Sequence, residues 1–184
     1  MPYQLSVIQA ALLDKRTLDL NGRIEGDMVM YVREALMMLT GLGSPEIEVR
    51  ISSSGGNCHA GFDIYDLLRL YKGKKTGVVV CYSRSMAVII LQACDIRCCA
   101  RHAKILIHHP SARDNREEPL NIDFLSTEKS VRKLVSDMRR DQNRIYQVLK
   151  RCGQTAKAIR RVCLKDEDMS AEEAKEFGLI DKII

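Results

Sequence analysis

Ser85 holds the clearest chemical position in the 184-residue chain. It stands at the corner of Thr76 to Leu91, where the β-branched run Val78 to Val80 reads as a buried strand and Met86 onward as a core helix. A side chain at such a corner projects beyond the end of a sheet. The helix N-terminus behind it offers unpaired N–H groups and a dipole that favours developing negative charge. That is a place for a nucleophile. Ser83 and Ala87, two residues to either side, are small, as the tight Gly-x-Ser-x-Gly elbow requires, although neither is glycine. The plain alternative is that Ser85 only caps a helix.

A nucleophilic serine needs a base and a group that orients the base. His108 and His109 end a strand-type run from Lys104 to Ile107 and point to opposite faces, so alternation leaves the choice between them open. His59 and His102 read as surface residues. Asp166 and Asp168 lie just before a helix start and are the candidate acids, with Asp168 also suited to capping. Asp63, Asp66 and Asp95 have helix-surface or strand-edge explanations. The paired glycines of Ser52-Ser53-Ser54-Gly55-Gly56-Asn57 let backbone N–H groups approach a ligand atom closely. An oxyanion or a phosphate would suit them, though no Lys-Ser/Thr follows as in a P-loop, and a plain turn is the simplest reading.

The elements that must position these residues alternate. Residues 1 to 14 form an arm or short helix. Thr17 to Leu20 alternates as a strand closed by turn residues Gly22 to Gly26. Asp27 then caps a helix whose apolar stripe is Met28, Val32, Ala35, Leu36 and Leu39. Glu46 to Ser52 is a half-buried strand, the serine and glycine run a loop, and Ala60 to Leu70 a helix. After the Ser85 corner come short strands at Asp95 to Arg97 and Lys104 to Ile107. A polar loop spans Ser111 to Pro119. A charged helix follows, whose narrow stripe is Val131, Leu134, Val135, Met138, Ile145, Val148 and Leu149. Gly153 ends it. A helix from Ala156 to Val162, a last helix with the Ser170/Glu173 capping box, and a closing strand from Leu179 complete the chain. This order predicts an α/β fold with right-handed crossovers and active residues at the strand ends.

The length predicts a single domain over residues 1–184. Hydrophobic residues at 46% and charged residues at 29% are those of a globular protein, and no apolar run is long enough to span a membrane. The N-terminus lacks the pattern of a signal peptide, which predicts a cytoplasmic protein. The seven cysteines are odd in number and lack zinc-ligand spacing, so they read as reduced thiols, with Cys81, Cys94 and Cys98 in apolar segments. The net charge of +5 gathers in the last third but is interleaved with Glu128, Asp137 and Asp141, without aromatic platforms. A solvated or subunit-facing helix explains it better than nucleic acid.

Ile51-Ser52-Ser53-Ser54-Gly55-Gly56, Ala60-Gly61-Phe62-Asp63-Ile64-Tyr65-Asp66, Ser85-Met86-Ala87, Ile107-His108-His109-Pro110 and Met169 to Asp181 together resemble the ClpP family, the proteolytic subunits of ATP-dependent Clp proteases. The resemblance runs from about Leu13 to the end of the sequence. It implies the ClpP/crotonase-like fold, a spiral of ββα units, with the helix at about 120–151 as a protruding handle. It implies a serine endopeptidase with Ser85 as nucleophile, His108 as base and Asp166 as orienting acid, Asp168 being the fallback. The oxyanion hole would be the backbone N–H groups of Gly56 and Met86. No cofactor or metal is implied. The partners implied are other copies in two stacked heptameric rings, an AAA+ unfoldase ATPase of the ClpX, ClpA or ClpC kind, a possible paralogue, and polypeptide substrates. Ser54 and Arg84 depart from the family pattern, which has Pro and a small residue there; an Arg would narrow the substrate groove or favour acidic side chains. Two other functions share parts of this pattern, a catalytically inactive ring subunit and a crotonase-like acyl-CoA enzyme.

Overall fold

The computed structural model describes residues 4–111 and 127–184. In chain order the elements are α1 (Val7–Asp14), β1 (Thr17–Ile24), α2 (Gly26–Gly41), β2 (Ile47–Gly56), α3 (Cys58–Leu70), β3 (Lys75–Arg84) and α4 (Met86–Leu91). There follow β4 (Ile96–Cys99), β5 (Lys104–Leu106), α5 (Glu128–Leu149), a 3-10 turn (Lys150–Cys152), α6 (Ala156–Lys165), α7 (Ala171–Phe177) and β6 (Lys182–Ile183). The expected polar loop from Ser111 lies, after that residue, outside the described residues.

Among the described residues the sheet is wholly parallel, in the order β1-β2-β3-β4-β6, with β5 also paired to β3. The first four strands add in sequence order and in one direction, so crossovers of one hand drop α2, α3 and α4 on the same face. Consistent with this, α3 packs against both α2 and α4. The core lies between that helix layer and the sheet. Leu18, Leu20, Val49, Ile51 and Val79 fill it from the strands, and Val32, Leu39, Ile64 and Leu68 from the helices. All six residues of α4 are buried, each side chain larger than Ala87 contributing roughly 1.5–3 kcal/mol.

The strands depart from regular pairing where they approach the site. Against β1, Asn21 pairs with Ser52 but Arg23 with Gly55, so β2 carries an extra residue. Against β2, Ile51 pairs with Val79 but Ser53 with Ser83, so β3 carries two. Such bulges bend a strand and re-aim its side chains. The serine and glycine run expected as a loop is therefore the bulged end of β2. The same irregularity turns Val80 and Cys81 outward, so Cys81 is exposed and not within an apolar segment as the sequence suggested. None of the seven cysteines, all among the described residues, is joined in a disulfide. β3 also divides one edge between two partners, β4 up to the Val79–Cys99 pair and β5 from the Tyr82–Lys104 pair.

Residues 7–14 of the arm take the helical alternative, with a capping box between Ser6 and Gln9. Asp27 does not cap α2: the cap position is Glu25, whose carboxylate is instead engaged by Arg23 Nε at 3.3 Å. Over the described residues the charged helix runs from Glu128, where Thr127 Oγ1 accepts from Ser130 N at 3.2 Å, to Leu149. Residues 120–126 lie outside the described residues. On α5, Asp141, Ile145 and Leu149 are buried, whereas Val131 and Val135 are exposed. Its last turns are held to the body partly by Arg144, whose guanidinium lies 3.7 Å from the centre of the Phe62 ring.

Among the described residues, no helix is long and apolar enough to cross a membrane, and no group of three or more His, Cys, Asp or Glu side chains is arranged to hold a metal ion.

Candidate active site

Ser85 joins β3 to α4 with φ 54° and ψ −126°. That is the first central position of a type II′ turn, which usually takes glycine. Its side chain makes no cap hydrogen bond, so the N-cap alternative fails and the hydroxyl is left for other work. The corner is fixed through its backbone. Ser85 N donates to the carbonyl of Leu106 at 2.9 Å, and Val88 N donates to the carbonyl of Ser85 at 3.1 Å.

The glycines pack against this corner. A Cβ on Gly55, at φ +88°, would stand 2.6 Å from Ser85 Cβ, 2.8 Å from the Arg84 carbonyl and 3.1 Å from Met86 N. A Cβ on Gly56 would run into the backbone of Ile24 on β1. The pair thus threads between the β1 end and the Ser85–Met86 corner, where no side chain fits. Ser53, fully buried, holds the turn by accepting from Gly55 N at 3.1 Å through its hydroxyl. Met86 in turn packs over α3, where a Cβ on Gly61 would approach Met86 Cε to 2.5 Å.

The two histidines after β5 turn to different partners. His108 Nδ1 lies 3.6 Å from Asp166 Oδ1, with side chains 26% and 66% exposed. That is longer than a hydrogen bond and within ion-pair range. His109 Nε2 meets the Tyr146 hydroxyl on α5 at 2.8 Å, and that hydroxyl also accepts from Gln142 Nε2 at 3.1 Å. Burial, then the positive charges of Arg160 and His108, push the His109 ring below the ordinary imidazole value. His109 is a strut to α5. A cleft of about 230 Å³ opens beside it, lined by His109, Pro110, Val135, Met138, Arg139 and Gln142. His59 and His102 are exposed, as expected.

The acids separate as well. Asp166 ends α6 in a left-handed conformation, φ 53° and ψ 42°, which aspartate tolerates. Asp168 is committed elsewhere: Arg84 Nε donates to its Oδ1 at 2.8 Å and Arg84 Nη2 to its Oδ2 at 2.5 Å. Both oxygens are taken, which leaves Asp166 as the acid facing His108. Met169 then exchanges two backbone hydrogen bonds with Ile105, 3.1 and 2.7 Å. Asp95 accepts from Lys75 N at 2.8 Å and sits 3.0 Å from Lys75 Nζ, so it serves the β3 start.

Ser53, Tyr146 and the Arg84–Asp168 pair escaped the sequence reading. Ser53 carried a faint signal, a polar residue at an inward position of an alternating strand. Partners 84 residues apart leave none.

The arrangement comprises a strained serine at a strand-to-helix corner, main-chain N–H groups packed around it, and a histidine facing a carboxylate from a third segment. Such a set can support nucleophilic acyl transfer. The sequence matches the Clp protease family profile over residues 3–184. Solved structures of similar fold include ClpP1 from Listeria monocytogenes, at 22% identity and a TM-score of 0.80, and a point mutant of ClpP1 from the same organism, at 24% and 0.78. Each alignment covers 97% of this chain and 96% of the other.

Proposed function

The chain belongs to the Clp protease family, and from that premise we propose that it is a serine endopeptidase that cleaves unfolded polypeptides inside a chamber built of stacked seven-membered rings. His108 takes the proton of Ser85 as Oγ attacks the scissile carbonyl. Asp166 keeps His108 in the tautomer that presents a free ring nitrogen and stabilises the imidazolium that forms. The tetrahedral oxyanion rests on the N–H groups of Gly56 and Met86, each donor worth about 10²–10³ in turnover. The amine leaves with the proton from His108, and water activated by the same base releases the acyl group. An extended substrate adds as a strand between the segments after Gly56 and after His109. The exposed part of α5 meets its counterpart in the facing ring, and an AAA+ unfoldase of the Clp kind feeds the chamber in the cytoplasm.

One observation carries this reading: three segments remote in sequence converge, with Ser85 N bonded to Leu106 two residues before His108, and Asp166 3.6 Å from that histidine. Apo hydrogen bonds of catalytic groups are often long and tighten on binding or assembly. The same 3.6 Å also favours a second reading, a ring subunit that is inactive by itself and works beside an active paralogue. Intact mass after exposure to a fluorophosphonate separates the two. A single adduct on assembled wild-type protein, absent in Ser85→Ala and His108→Ala, is the expected result; assembled rings that stay unlabelled would favour the inactive subunit.

A further inference from the structure

Arg84 closes β3 directly before the strained serine, and its guanidinium forks onto both oxygens of Asp168. Its other neighbour is the ring of Tyr82, 5.5 Å from the guanidinium carbon to the ring centre, which restricts the rotamers open to it. The geometry of the backbone gives this pair an unusual reach. Arg84 is in register with Leu106 on β5, and on the other side of β5 Ile105 is bridged to Met169. The strip carrying the base therefore lies between the strip carrying the nucleophile and the one carrying the acids. Ser85 N to the Leu106 carbonyl joins the first to the second, and the Ile105–Met169 bridge joins the second to the third. The Arg84–Asp168 ion pair joins the first directly to the third.

Asp166 needs such support. It sits in a left-handed conformation at the end of α6, with a side chain 66% exposed, so its own surroundings do little to aim it. Asp168, one residue before the Met169 bridge, is the second carboxylate of the same segment, and Arg84 engages both of its oxygens.

We propose that Arg84 is a positioning residue: by holding Asp168 it fixes the Asp166–Met169 segment against the Ser85 corner and keeps Asp166 facing His108. The charge at position 84 is thus neutralised by an internal partner and is not free to select acidic substrate side chains. This inference rests on the peptidase reading of the same site.

The test is the kinetics of fluorophosphonate labelling, resolved into the maximal inactivation rate and the concentration for half-saturation, on protein whose ring assembly is verified by sedimentation. Arg84→Ala and Asp168→Ala should each slow the maximal rate about tenfold, with little change in half-saturation. The double variant should be no slower than either single one. The exchanged pair, Arg84→Asp with Asp168→Arg, should recover most of the rate. Arg84→Lys should recover little, because an ammonium cannot grip both oxygens in one plane. Melting temperatures should barely move, since the pair is 40% and 31% exposed. Labelled wild type with equally fast variants, single effects that multiply in the double variant, or an effect confined to half-saturation would overturn the positioning role alone. Assembled wild type that takes no label would overturn the peptidase reading, and the positioning role with it.

Discussion

At the scale of single residues, the Ser85 corner is held against its own preference. A non-glycine residue at φ 54°, ψ −126° carries about 1–3 kcal/mol of backbone strain. Ser85→Gly should therefore unfold at higher urea than Ser85→Ala, by about 1 kcal/mol, while neither takes up a fluorophosphonate. Gly55→Ala should do the opposite. Its new methyl group would stand 2.6 Å from Ser85 Cβ at a φ of +88°, so a loss of about 2–4 kcal/mol is expected in the same denaturation experiment, together with loss of labelling. His109 predicts a pH effect. Burial, helped by Arg160 and His108, lowers its proton affinity in the native state. The unfolded chain then binds the extra proton, so stability falls as pH drops below about 6.5, the ordinary imidazole value, towards the lowered native one. His109→Gln should flatten that slope in urea titrations run between about pH 5 and 7. Strand alternation could not choose between His108 and His109, because both follow a strand end with no difference in local pattern, and only the family resemblance pointed to His108. The two are told apart in the structure by Tyr146 and Asp166, 37 and 58 positions away from their respective partners. Arg84 was legible as an oddity, and what it holds was not.

At the scale of elements, periodicity carried far because the cores of strands and helices obey it. Ile47, Val49 and Ile51 point inward as alternation requires, and α4 is buried throughout. The errors fall where two influences compete. Ser52 to Gly56 has the composition of a loop, yet β1 and β3 still pair with its backbone, and small residues are there because the bulge leaves no space. The closing strand is short and its anchoring lies elsewhere: Arg97, 7% exposed, grips Asp181 through Nε at 3.1 Å and Nη2 at 2.5 Å, and its backbone N–H donates to the same carboxylate at 2.8 Å. These bonds pull the Asp181 carboxyl below its ordinary range. Asp181→Ala leaves the guanidinium with Gln92 Oε1 and the Gly178 carbonyl. We expect a loss of about 1–3 kcal/mol in urea, less than for a fully buried pair because Asp181 is 37% exposed, with an unchanged m-value.

At the scale of the whole molecule, α5 is the outlying piece. Its first half carries Val131 and Val135, 37% and 40% exposed, on a helix otherwise rich in charge. In the ring assembly proposed above, this stripe is what a facing subunit would cover. Val131→Glu with Val135→Glu should convert double rings to single rings in sedimentation velocity, leaving the fold intact by circular dichroism. The order in which the sheet is laid down has a further consequence, for biosynthesis. β1, β2 and β3 are neighbours in sequence and in space, so they can pair once β3 and α4 have left the ribosome. β5 then brings the Leu106 carbonyl that holds Ser85 N, and His108 with it. Asp166, the Asp168 partner of Arg84 and the Met169 bridge arrive only with residues 166–169. A nascent or prematurely stopped chain holds a serine and a histidine without the carboxylate or the tether that align them. Under the mechanism proposed above, such a chain would not take up a fluorophosphonate until residues 166–169 had been made and had docked.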